Sequence, residues 1–213
     1  MPTNRDLCVA ALRKIGVAAQ GEGLDGADLA SAMGQLRRML AAWQNRGDML
    51  WAATRMDLTT ALGVTSYDLT PRPLEVHSVH LRRGTVNQPL TKFTRNEFER
   101  LPLTALPGAY PTAWWADRQR DVTILHLWPS PITGLPVAAT VTREILAEDP
   151  DDEADVPGEW EEAVVYGLAA RLSDDYAIAA SNVIARAEDE LDKALAFDRQ
   201  DSVYFVDEDY ARH

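Results

Sequence analysis

Residues 122–131 read VTILHLWPSP. Val122, Ile124 and His126 alternate with Thr123, Leu125 and Leu127, the period of two that a strand with one face in a core requires. Trp128-Pro129-Ser130-Pro131 then stops the run. The two prolines lack the amide donors that further pairing needs, so the strand is expected to end there. TAWWAD (112–117) and the polar turn DRQRD (117–121) precede it. The three together read as a hairpin in which Trp128 packs across the sheet.

Working outward, the same β character extends over 49–146. LEVHSVHLRR (74–83), QPLTKF (88–93) and LPVAATVTREI (135–145) are rich in β-branched and aromatic residues. Pro71, Pro73, Gly84, Pro107-Gly108, Pro129, Pro131 and Gly134 punctuate them. One helical turn or two interrupts the series at Thr94–Leu101, where Thr94 and Glu97 stand at capping-box spacing. Short strands spaced this way predict a small antiparallel sandwich or barrel.

Beyond these limits the period becomes helical. Thr3 and Asp6 have capping-box spacing, Leu7, Ala11, Leu12 and Ile15 share one face, and Gly16 offers a left-handed stop. After a glycine-rich turn, Leu29, Met33, Leu36, Leu40 and Trp43 form a second stripe that ends near Gly47. Pro157 opens a third helix, in which Trp160, Val164, Leu168 and Leu172 recur at steps of four up to about Tyr176. Ser181 or Asn182 opens a fourth, with Ile184, Ala187, Leu191 and Leu195 as its apolar face. The expected fold is α+β. A four-helix bundle forms from residues 1–48 and 157–197, and an antiparallel β-sandwich or barrel is inserted at 49–146. An acidic linker, 147–156, and an extended tail, 198–213, complete the chain.

The formal net charge of −12 argues against a protein that grips nucleic acid by its phosphates, and no Lys/Arg run exceeds a pair. No apolar run is long enough to span a bilayer. The start, MPTNRDLCVAAL, lacks the pattern of a secretory signal. Cys8, the single cysteine, reads as a small buried hydrophobe.

Catalytic signatures are missing. There is no G-x-S-x-G elbow, no Walker loop and no G-x-G-x-x-G, and Gly21-Glu22-Gly23 follows a helix rather than a strand. Asp174-Asp175 reads as a helix terminus. His77 and His80 fall on opposite sides of a regular strand, so they hold no metal together without a bulge. Neither metal nor cofactor is expected. Ten carboxylates and no Lys or Arg lie between Glu144 and Glu162. They lack the EF-hand order. Glu148, Asp149, Asp151, Asp152, Glu153 and Asp155 read either as a solvated linker or as an electrostatic wall, while Glu159, Glu161 and Glu162 favour a helix N-terminus. Trp114, Trp115 and Trp128 are candidates for sheet packing, for an interface, or for a carbohydrate platform. The tail residues Val203, Tyr204, Phe205, Val206 and Tyr210 suit either strand addition to a partner or a disordered terminus.

The ordered motifs resemble phage head-to-tail adaptors of the tail accessory factor, or packaged-DNA stabilisation, family. The opening carries it in Ala11-Leu12-Arg13, Ile15-Gly16-Val17, Gly21-Glu22 and the Trp43–Gly47 stretch. PRPLEVHSVHLR, YPTAWWAD and ILHLWPSP resemble members with an inserted β-domain, and PGEWEEAVVYGLAARLSDDYA resembles the third helix. The acidic 148–155 segment and the 197–213 tail depart from that pattern. The resemblance implies a structural virion protein of the head–tail junction, assembled in the host cytoplasm, and not an enzyme. It implies a ring, usually a dodecamer, beneath the portal protein. Such a ring extends the channel for passing double-stranded DNA, which it does not bind tightly, and supports a downstream tail or stopper protein. It implies no membrane partner. In these terms the six acidic residues become channel-wall candidates, and the tail aromatics become a docking segment for the portal or a neighbouring copy. The rival reading is a β-sandwich module on a helical stalk that recognises sugar or protein through its tryptophans.

Overall fold

The computed structural model describes residues 1–19, 24–45, 50–101 and 107–198. In chain order the elements begin with α1 (Asn4–Lys14), α2 (Gly26–Gln44), β1 (Ala53–Thr59), β2 (Ser66–Leu69) and β3 (Glu75–Arg83). Next come β4 (Val86–Pro89), β5 (Thr91–Lys92), α3 (Arg95–Glu99), β6 (Pro107–Ala109) and β7 (Ala113–Arg118). The series closes with β8 (Thr123–Trp128), β9 (Ser130–Pro131), β10 (Pro136–Thr142), α4 (Glu161–Asp175) and α5 (Ser181–Asp198). The chain is α+β and divides into two compact units, Met1–Leu50 with Ala147–His213, and Trp51–Leu146.

In the helical unit, α4 packs against α1, α2 and α5. Trp160, Val164, Leu168 and Leu172 are fully buried, as their spacing predicts. The first four amides of α1 all find acceptors, the requirement at any buried helix start. Asp6 N donates to Thr3 Oγ1 at 3.1 Å and Leu7 N to Thr3 O at 3.2 Å. Asn4 N reaches Asp152 O at 3.0 Å, and Arg5 N reaches Pro150 O at 2.7 Å. At the other end Gly16 (φ +76°) allows both Schellman bonds, Val17 N to Leu12 O and Gly16 N to Arg13 O.

The face of α5 differs from expectation. Val183, Ala187 and Ala194 are buried, whereas Ile184 is 42% exposed. Ala187 is common to the expected and observed faces, and Leu191 and Leu195 are half-buried.

In the β unit, one sheet has the order β1-β10-β3-β4 and the other β2-β8-β7-β5. Both contribute to one core. Val76, Val79, Leu81, Val137, Ala139 and Val141 come from the first sheet, and Leu69, Trp114, Leu125 and Leu127 from the second. The alternation of β8 holds, with Thr123, Leu125 and Leu127 buried. Three local features depart from or add to the expectations. QPLTKF is not one strand, because Leu90 separates β4, paired with β3, from β5, paired parallel with β7. β8 ends at Trp128, as its prolines predict, and pairing resumes beyond Pro129 only in a separate short parallel pair of β9 with β6. Within β3, a register shift opposite Thr140/Val141 breaks the alternation at His77, whose Nε2 lies 2.6 Å from Thr142 Oγ1. The β5–β7 pair is a short parallel addition to an otherwise antiparallel sheet, and β6 and β9 form a separate two-stranded parallel sheet.

Gly167 allows α2 and α4 their close crossing. A Cβ there would lie 2.8 Å from Trp43 Cζ2 and 3.1 Å from Met39 Sδ. Trp43 is itself held, 5% exposed and with its ring 6.1 Å from Trp160. In an open helix, Gly→Ala would stabilise by up to about 1 kcal/mol. Here overpacking, at about 1–3 kcal/mol, outweighs that gain. Gly167→Ala is therefore expected to lower the urea midpoint, and a raised midpoint would contradict the crossing.

Candidate functional site

Two regions carry the residues singled out by the sequence. The first is the acidic segment 147–156. Its carbonyls turn inward and its carboxylates outward. Besides the two amide bonds from α1, Asn4 Nδ2 donates to Asp149 O at 2.8 Å, and Ala154 N donates to Pro2 O at 2.9 Å. Arg37 of α2 donates to the carbonyls of Ala147, at 2.7 Å, and Glu148. Ala147, Ala154 and Val156 are buried, so the segment's main chain is fixed against the helices. Glu148, Asp149, Asp151, Asp152 and Glu153 remain exposed, and Asp155 is half-buried. Asp151 also pairs with Arg5 at 2.8 Å, which holds its carboxyl below the usual carboxylate range.

Sequence reading missed Asn4 and Arg37, whose partners lie more than a hundred residues away. It also averaged over a partition of charge. The β unit holds 10 basic and 8 acidic residues, and the remainder of the chain holds 11 and 25. Net charges of +2 and −14 thus make up the total of −12. The acidity belongs to the helical unit, where it sets a field repulsive to polyanions.

The second region is the aromatic face of β7 and β8. Trp114 points inward, 1% exposed, and its Nε1 donates to Leu90 O at 3.2 Å. Trp115 takes the opposite face, as strand alternation requires. It stacks on His126 with ring centroids 4.8 Å apart and an interplanar angle of 11°. Phe98 of α3 covers both, at 5.7 and 5.8 Å. Trp128 follows on the same side as His126 and is half-buried. The three tryptophans therefore do not come together: one belongs to the core, and the ring face of another is occupied by a histidine. Beside Trp115 lies a cleft of about 340 Å³ bounded by Lys92, Glu75 and Arg118, with the Lys92–Glu75 ion pair at 3.6 Å. Among the described residues, no group of three or more His, Cys, Asp or Glu is placed to hold a metal. No helix among them is long and apolar enough to cross a membrane. Cys8 is fully buried, with its thiol pushed up to about 12 by desolvation. Val203, Tyr204, Phe205, Val206 and Tyr210 lie outside the described residues.

The model of the SU10 adaptor protein family matches residues 5–207. The chain belongs to the SU10 adaptor protein family. This bears out the adaptor resemblance read from the ordered motifs, and the match runs through both the helical and the β unit of this family member. No curated relative matches the sequence. Among solved structures it is similar to a chain from the neck of an empty gene transfer agent particle, at 19% identity. That likeness has a TM-score of 0.30 and covers 78% of this chain and 77% of that one. A chain from the virion of a native gene transfer agent particle is also 19% identical, with a TM-score of 0.28 and coverage of 84% and 87%. At those TM-scores neither likeness carries weight for the fold.

His126 offers a test of the aromatic face. Its burial lowers its pKa, and Asp117 only partly offsets this. The fold therefore favours the neutral ring. Above the ordinary value of 6.5 both folded and unfolded states are neutral, and the associated stability is intact. As pH falls below 6.5 the unfolded chain takes up the proton first, and stability declines. His126→Gln is expected to remove that part of the decline in urea midpoints measured across this window. An unchanged slope would show that the stack does not exclude the charged ring.

Proposed function

We propose that the chain is a structural, non-enzymatic head–tail adaptor of the virion. Copies form a ring beneath the portal protein, prolong the DNA conduit and present a platform to the next tail or stopper protein. The observation that carries this reading is the adaptor-family match over nearly the whole chain. In this reading the helical unit is a four-helix bundle into which a β-sandwich is inserted, and assembly takes place in the host cytoplasm at the head–tail junction. Twelve copies is the stoichiometry that the family resemblance implies.

The charge partition supports the conduit role. Polyanionic DNA must pass without adhering, and a wall with fixed outward carboxylates repels it. Glu148, Asp149, Asp151, Asp152, Glu153 and Asp155 are the wall candidates, held by a main chain that hydrogen bonds to α1. The sugar-platform alternative asks for open tryptophan faces. Trp114 is in the core and Trp115 is stacked on His126, so the geometry favours packing and interface roles for Trp114, Trp115 and Trp128.

Native mass spectrometry of the chain mixed with its portal tests the reading. One closed stoichiometry of adaptor per portal is expected, and a monomer that ignores the portal would overturn it. The wall has its own test in the triple variant Glu148→Gln, Asp152→Asn, Glu153→Gln, which spares the Asp151–Arg5 pair. Ring mass is expected to stay the same while DNA passage falls. Normal packaging and ejection would remove the wall from the account.

A further inference from the structure

Of the four edges of the two larger sheets, β1 is the longest. β2 and β4 have four residues each and β5 has two, whereas β1 has seven. β4 ends in Pro89, and β2 runs on to Pro71 and Pro73, the devices that blunt an edge. β1 has no proline. Among the described residues it pairs with β10 alone. Arg143 N donates to Ala52 O at 2.9 Å, and Thr60 N donates to Leu135 O at 2.8 Å. Even-numbered residues of β1 therefore bond to β10. Ala53, Arg55, Asp57 and Thr59 turn their amides and carbonyls outward.

A groove of about 470 Å³ lies along the same strand, bounded by Thr54, Met56, Pro73, Val141 and Leu146. Arg55, Arg72 and Arg143 line it too, against the single carboxylate of Glu144. Arg55 bonds to Asp57 at 2.7 Å, and Arg72 Nε donates to Gln119 O at 3.0 Å, leaving Arg72 further guanidinium donors. Arg143 lies 5.7 Å from the Trp51 ring, and its Nη1 donates to Glu144 O at 3.4 Å. An apolar floor bordered by more arginines than carboxylates, beside an edge that pairs with β10 alone among the described residues, fits an extended segment that is both apolar and acidic.

This sequence contains such a segment. Residues 201–209 read DSVYFVDED, a β-prone SVYFV flanked by Asp201 on one side and by Asp207, Glu208 and Asp209 on the other. We infer that Ser202–Val206 of one copy adds as a strand to the β1 edge of a neighbouring copy, with Asp207–Asp209 meeting Arg72 and Arg143. Main-chain bonds supply the pairing, and the flanking charges select the partner. Edge and segment are different surfaces of one chain, so the contact is heterologous and propagates around a closed ring. The inference rests on the ring reading and names the joint within it.

Two differently tagged full-length copies test it, one carrying Asp57→Cys and the other Tyr204→Cys or Phe205→Cys. The two tail positions cover both faces of the added strand. The native Cys8 is buried and does not compete. A short bis-maleimide is expected to give a product bearing both tags. Arg72→Glu with Arg143→Glu should cut its yield about tenfold, and Asp207→Lys with Glu208→Lys should restore it. Closed rings without the doubly tagged product would overturn this joint and leave the ring reading standing. A link confined to one copy, or a yield indifferent to the charge changes, would also overturn the joint. Monomers with no product would sink both readings.

Discussion

The pairing of β1 with β10 is the constraint on which the architecture rests. It runs without a break from Ala53–Thr142 to Thr59–Pro136, and Ala52 and Arg143 extend it by one further bond. The β unit therefore opens and closes with neighbouring strands, and the chain leaves it beside the point of entry. Residues from the two ends of the sequence can then share one helical core, as Trp43 and Trp160 do at 6.1 Å. A single antiparallel pair thus solves the loop-closure problem of a long insertion, whose entropic cost grows only slowly with length.

Within the helical unit, satisfying polar backbone also determines where charge appears. The amides of Asn4 and Arg5 need acceptors, and the carbonyls of Asp152 and Pro150 supply them. With its carbonyls committed inward, the segment presents carboxylates to solvent at Glu148, Asp152 and Glu153. A run that composition alone describes as solvated is thereby a fixed charged surface. The same helices need Gly167 at their closest approach, so the packing that buries Trp43 and the clamp that orients the acids belong to one body.

Local period made much of this legible. Trp160, Val164, Leu168 and Leu172 announce a buried helical stripe, and Thr123, Leu125 and Leu127 announce a core-facing strand. Thr3 with Asp6 and Thr94 with Glu97 mark helix starts that form as capping boxes. Features that depend on distant partners were not legible. Ile184 and Val183 offer α5 two competing faces, and only the surface across from it decides between them. Leu90 divides two strands because its flanks pair with different sheets. The Asn4 and Arg37 bonds join residues more than a hundred positions apart, and no local pattern encodes them. The charge partition became visible once the units were delimited.

Under the proposed function, an acidic helical unit suits the passage of DNA, and a nearly neutral β unit whose β1 pairs with β10 alone among the described residues suits the joining of neighbours. A cryo-electron microscopy reconstruction of the chain bound to its portal tests this account most directly. The account predicts a closed ring coaxial with the portal, in which residues 148–155 face the channel. A ring with that segment on its outer rim, or no ring at all, would contradict it.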